Sequence, residues 1–234
     1  MRFSSVRFLL VLAMILAAIG SARADYGTID LGYLGRPGPQ MGNGGRFDYD
    51  VANTSALNLP SCWSLNLYDS PSSSAGGADG VDDLFTFCME LSQFVPGDAA
   101  SRTYVVDPFA IGGALDKLGD YYWGLAILPG NNLQAGAFQL AVWEIILGNG
   151  DLNISTSPQL SGSYTTDAKN LAQSWLNSLA ALSDVPSLRM VALKNSSFQD
   201  QVTQISAVPE ASAIIVWTLI SGAIGFVVYK RQRV

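Results

Sequence analysis

From Ala211 to Tyr229 the chain carries nineteen consecutive residues without a charge, and Lys230-Arg231-Gln232-Arg233 follow them. As a helix, that run would reach roughly 28 Å, close to the hydrocarbon thickness of a bilayer. The basic cluster at its end is expected to stay cytoplasmic. A chain with such an end is expected to build its globular part from what comes before it, on the other side of a membrane. The N-terminus points the same way. Arg2 and Arg7 form a basic start, Phe8 to Ile19 is an apolar core too short for a span, and Ala22-Arg23-Ala24 offers small residues for cleavage. These features predict a signal peptide over 1–24, an extracytoplasmic domain with a C-terminal linker over 25–207, and a membrane tail over 208–234.

The junction before the apolar run reads Val208-Pro209-Glu210-Ala211. Motif, apolar span and basic stop together resemble the PEP-CTERM sorting signal of Gram-negative bacteria, which an exosortase reads at the Pro-Glu step. The family's usual second proline is Ala211 here. The resemblance implies Val208, Pro209 and Glu210 as the sorting motif and an exosortase-like enzyme as processing partner. It also implies an inner-membrane intermediate on the way to the cell surface or extracellular matrix. An ordinary single-pass anchor is the alternative.

Composition narrows the chemistry of the exported part. Seven basic and eighteen acidic residues lie between positions 25 and 207, which leaves a net charge of −11. Such a surface repels phosphate backbones and argues against a nucleic-acid partner. The chain has no histidine. That excludes Ser-His-Asp and Cys-His catalysis and removes the commonest transition-metal ligand. No cofactor or metal is expected. Asp79, Asp82 and Asp83 lack the spacing of a calcium loop and read as a solvated acidic stretch. Two cysteines remain, Cys62 and Cys88, and in an exported protein their default is a mutual disulfide.

Residues 27–46 are rich in glycine and proline and read as turns rather than a phosphate cradle. Residues 46–52, 61–68, 84–95, 102–106 and 187–194 read as strands. Residues 114–128 have helical apolar spacing at Leu115, Leu118, Tyr122 and Leu125, weakened by Gly119 and Gly124. Residues 133–147 form a helix capped by Asn132 and ended by Gly148, and residues 166–182 form a second, capped by Thr165 or Thr166. Residues 195–207 are polar and read as the linker. The expected fold is α+β: a β-rich sandwich or barrel-like domain with two or three helices.

Two segments carry chemistry. Phe87-Cys88-Met89-Glu90 lies in a strand and Phe138-Gln139-Leu140-Ala141-Val142-Trp143-Glu144 in a helix, with Gln139 following Cys88 by 51 residues. Together they resemble the paired motifs of Cys-Gln thioester domains on bacterial surface proteins. Phe138 stands where many of that family carry Thr or Ser, so no hydroxyl is available there. The resemblance implies that Cys88 attacks the Gln139 carboxamide, expels ammonia and leaves an internal thioester. A surface amine or hydroxyl then takes the acyl group once, without turnover, so the chain is not an enzyme in the usual sense. Trp143 lies one helical turn from Gln139 and is expected, with Phe87, to shield the bond from water. Glu90 or Glu144 is the candidate proton shuttle.

Three functions compete on these residues. The first is covalent capture of a partner on a surface or in a biofilm matrix. The second is a noncatalytic matrix protein stapled by Cys62–Cys88. The third, a carboxylate glycosidase, rests only on scattered Asp and Glu.

Overall fold

The computed structural model describes residues 26–35, 40–41, 44–59, 63–68, 83–93, 95, 98, 100–107, 113–148, 150–156, 164–185 and 188–207. The predicted signal peptide, the apolar run, the sorting residues Val208, Pro209 and Glu210, and Cys62 lie outside them. Among the described residues no helix is long and apolar enough to cross a membrane.

Among the described residues the strands are β1 (Thr28–Gly35), β2 (Gln40–Met41), β3 (Gly44–Gly45), β4 (Phe47–Asn53), β5 (Trp63–Leu65), β6 (Leu67–Tyr68), β7 (Asp83–Cys88), β8 (Ser101–Asp107), β9 (Leu188–Lys194) and β10 (Gln201–Ala207). The helices are α1 (Gly113–Ile127), α2 (Asn132–Leu147) and α3 (Thr166–Ser178). Eight strands form one antiparallel sheet in the order β5-β10-β9-β8-β1-β4-β7-β6, while β2 and β3 make a separate small hairpin. A further pairing, Gln201 with Cys88 and Val202 with Phe87, joins β10 to β7. That pairing closes the six central strands into a barrel and removes their open edges. Beyond it β7 and β10 splay apart. The β5–β6 segment fills the gap, with β5 on Ile205–Ala207 and β6 on Asp83–Leu84.

The strand period of two sorts the β7 side chains. Phe87 packs on Trp123 of α1 and Phe138 of α2, with ring centroids 5.4 and 4.7 Å away. The Phe85–Phe87 face therefore looks toward the helices, and Leu84, Thr86 and Cys88 look into the barrel. Tyr33, Tyr49 and Tyr104 pack in sequence, the first pair tilted and the second edge-on, with centroids 5.4 and 6.1 Å apart. Burial drives the Tyr49 and Tyr104 hydroxyls well above the ordinary phenol range, so both stay neutral.

The helices cover one side. α2 lies between α1 and α3 and against the β2–β3 hairpin and β7. Ten consecutive residues of α2, Ala135 to Glu144, are buried. It is a central helix with no polar face, rather than an amphipathic one. α1 rests on β9, and a methyl group at Gly119 would sit 2.3 Å from Met190 Sδ. The glycine that weakened the helical reading of this segment is what lets α1 approach the sheet.

Several sequence expectations need correction. Residues 27–46 are not all turns, because β1 runs through the barrel and buries Ile29 and Leu31. Residues 195–207 are not a linker. β10 is a central strand buried over Gln201–Ile205. β7 stops at Cys88 instead of running to Val95, because the chain bends there and Met89 N–H turns to Asp200 O, 2.9 Å away. The second long helix ends at Ser178, and turns carry the chain on to Leu182. Asn132 is the first residue of α2 and not its cap. Asn131 precedes it and sends its side-chain amide to Leu125 O instead. Asp83 is no solvated ligand: it is buried at the start of β7.

Thr165 does cap α3, its hydroxyl accepting from Ala168 N–H at 3.2 Å. Thr165→Ala should cost about 1 kcal/mol, read as a lower urea midpoint with an unchanged slope. A larger loss would mean that the residue does more than cap.

Asp116 of α1 accepts from Met190 N–H at 2.8 Å and ties the helix to β9. Asp120 accepts from Val185 N–H, also at 2.8 Å. Burial raises both carboxyls above the ordinary aspartate value, and neighbouring acids raise them further. A folded pKa above the unfolded one means that the native state holds protons more tightly. These groups therefore favour the fold at low pH and penalise it as pH rises from about 4 through their raised values. Asp116→Asn keeps an acceptor for Met190 and cannot ionise. It should flatten the decline in urea midpoint over that window, and an unchanged decline would remove Asp116 as a cause.

Candidate thioester site

Cys88 is the last residue of β7, where β4 has already left the strand's outer edge, since the last β4 pairing is Phe47 with Thr86. Its backbone polar groups on that side need partners. Gln139 supplies both. Cys88 N–H donates to Gln139 Oε1 at 2.9 Å, and Gln139 Nε2 donates to Cys88 O at 2.7 Å. The carboxamide takes the place of a neighbouring strand. Gln139 is fully buried and Cys88 is 3% exposed. Ala137 and Ala141, two residues to either side of Gln139, are fully buried on the other face of α2.

The thiol itself points into the barrel. Cys88 Sγ donates to Gln199 Oε1 at 2.8 Å, and Gln201 Nε2 lies 3.9 Å from the sulfur. Gln199 Nε2 donates in turn to Glu90 O. Gln201 is fixed at both ends: its Nε2 donates to Gln199 O at 3.2 Å and its Oε1 accepts from Thr86 Oγ1 at 3.0 Å.

The structure thus brings Cys88 and Gln139 together and treats the other expected residues differently. Phe87 is fully buried beneath Trp123 and Phe138, on the helix side of β7. Trp143 is buried, and its described ring partner is Tyr164, edge-on at 5.9 Å. Glu90 anchors a loop. Its carboxylate accepts from Ser92 Oγ at 2.9 Å and from Asp200 N–H at 3.2 Å. Glu144 is fully buried, and its Oε1 accepts from Asn153 N–H at 3.1 Å beneath the Gly148 turn. Both carboxylates hold backbone in place, and none of the three hydrogen bonds described for them reaches Cys88 or Gln139. Among the described residues no group of three or more His, Cys, Asp or Glu comes together as a metal site.

Gln199 and Gln201 were missed because the segment reads as polar. The available signal was the β-branched set Val202, Thr203 and Ile205 following two glutamines spaced by two.

No family model matches the chain, and no curated protein matches it. Among solved structures it is similar to the N-terminal domain of the Streptococcus pyogenes pilus tip adhesin Cpa. The identity is 13% and the TM-score 0.42, with 80% of this chain and 96% of that chain covered.

Proposed function

We propose that this chain is an exported surface or matrix protein that captures a partner covalently through a thioester between Cys88 and Gln139. The supporting observation is the two-bond clamp of the Gln139 carboxamide on the Cys88 backbone, with both residues buried. The clamp holds an acyl carbon beside a nucleophilic residue, which makes the reaction effectively intramolecular. Cys88 N–H already donates to the carbonyl oxygen on which negative charge develops when sulfur adds.

The chemistry balances without a cofactor. The thiol leaves Gln199 by a χ1 change and adds to Gln139 Cδ. The C–N bond breaks, the thiol proton goes to nitrogen, and ammonia departs. An incoming amine or hydroxyl then attacks the same carbon, the C–S bond breaks, and the partner's proton ends on sulfur. The partner is a surface amine or hydroxyl, and each chain reacts once. Export by the signal peptide and release by an exosortase-like enzyme at Pro209-Glu210 would place the domain at the cell surface or in the matrix, where such capture is useful.

The intact mass of the purified domain tests this. A loss of one ammonia relative to the sequence supports the thioester. A loss of two hydrogens would support the Cys62–Cys88 staple of a noncatalytic protein, and the full mass would reject both bonds.

A further inference from the structure

The Cys88 sulfur is held by two side chains that the Gln139 chemistry does not use. Both carboxamides have a determined orientation. Gln199 Nε2 donates to the Glu90 carbonyl, which can only accept, so Oε1 is the atom left to face sulfur. Gln201 Nε2 donates to the Gln199 carbonyl, and its Oε1 accepts the Thr86 hydroxyl. Turning either amide end for end would lose a buried hydrogen bond. Among the described contacts, sulfur therefore meets an acceptor at 2.8 Å and an N–H donor at 3.9 Å.

We propose that Gln199 and Gln201 are positioning residues that set the ionisation of Cys88, with opposite signs. This rests on the thioester reading for its use but not for its test. The Gln199 oxygen accepts from S–H and so favours the neutral thiol. The Gln201 N–H finds only a weak acceptor in a thiol sulfur and a much stronger one in a thiolate, so it favours the ionised form. Sulfur passes through thiolate character twice in the capture cycle. It does so when it attacks Gln139 Cδ, and again when an amine's attack breaks the C–S bond and the electron pair returns to sulfur. Gln201 stabilises the thiolate in the barrel-facing rotamer, before χ1 turns sulfur toward Gln139 Cδ and after the released sulfur turns back. Gln199 receives the finished thiol once the amine proton has reached sulfur, and so holds the spent state. Thr86 acts through Gln201, by keeping its amide nitrogen toward the sulfur.

The test uses the full exported domain carrying Cys62→Ala and Gln139→Ala, so that Cys88 is the one thiol and no Gln139 thioester can form. Thiolate absorbance is followed against pH, with the matching Cys88→Ala protein subtracted to cancel tyrosine. Gln201→Leu should move the midpoint up by about one pH unit, or tenfold less thiolate at a fixed pH below it. Gln199→Leu should move it down. Thr86→Val should move it up by less than Gln201→Leu does, and it serves as the probe if Gln201→Leu does not fold. Shifts of one sign for Gln199→Leu and the Gln201 or Thr86 variant, or curves that superimpose, would overturn the proposal. The intact mass of the otherwise native domain separates the two claims. An absent ammonia deficit there rejects the thioester without touching the titration. A deficit that survives Gln139→Ala and vanishes in Gln199→Ala would make Gln199 the acyl donor and overturn its role here.

Discussion

Cys88→Ala and Gln139→Ala should each abolish the ammonia-sized mass deficit and all adduct formation with methylamine, while Cys62→Ala should leave both intact. The expected effect is all or none, because the acyl carbon belongs to Gln139 and the leaving sulfur to Cys88. Gln139→Glu is the sharper variant. It keeps the length of the side chain and an oxygen for Cys88 N–H, but it offers no amine to expel and, when ionised, nothing to donate to Cys88 O. It should fold less stably than the parent and show no deficit. A deficit that disappears in Cys62→Ala would point instead to a disulfide, and with it to a structural protein.

The same residues show how far the sequence could be read. The Cys88 and Gln139 motifs were legible because each sits in a short apolar context of fixed order, and the fold needed only to bring β7 against α2. The barrel itself was less legible. β10 carries Gln201, Thr203 and Gln204, all buried, and each has an internal partner: Thr86 Oγ1, Phe85 O and Asn66 Nδ2. Hydropathy scores such residues as solvent-facing, because satisfaction by a distant strand is a property of the fold and not of the segment. β1 was hidden differently. Its alternating Ile29 and Leu31 are the signal of a half-buried strand, but the surrounding glycines outweighed them. In α1, Gly119 counted against a helix when its cause was tertiary, namely the closeness of Met190.

Asp48→Ala should lower stability by about 3–5 kcal/mol, the cost of leaving a buried charge without its partner. Arg46 precedes β4 and is 4% exposed, and Asp48 is fully buried. The guanidinium meets the carboxylate with two hydrogen bonds, Nε to Oδ1 at 2.7 Å and Nη2 to Oδ2 at 2.8 Å. Its remaining nitrogen donates to Ile127 O at the end of α1, 2.5 Å away, and its plane lies 3.7 Å over the Phe85 ring. One cation thus joins the barrel wall, the C-terminal end of a helix and the aromatic layer in which Phe85 stacks on Tyr68, whose hydroxyl accepts from Trp123 Nε1 at 2.9 Å. Helix carbonyls at that end carry partial negative charge, so a cation there is favourable in itself. Replacing only the anion keeps the desolvation of Arg46 and removes most of what offsets it. Replacing both residues by apolar ones of similar size, Arg46→Met with Asp48→Leu, should therefore cost less than Asp48→Ala alone, as measured by urea unfolding. A double variant that is no more stable than the single one would show that the guanidinium's bonds to Ile127 and its stacking on Phe85, rather than relief of charge, dominate at this corner of the barrel.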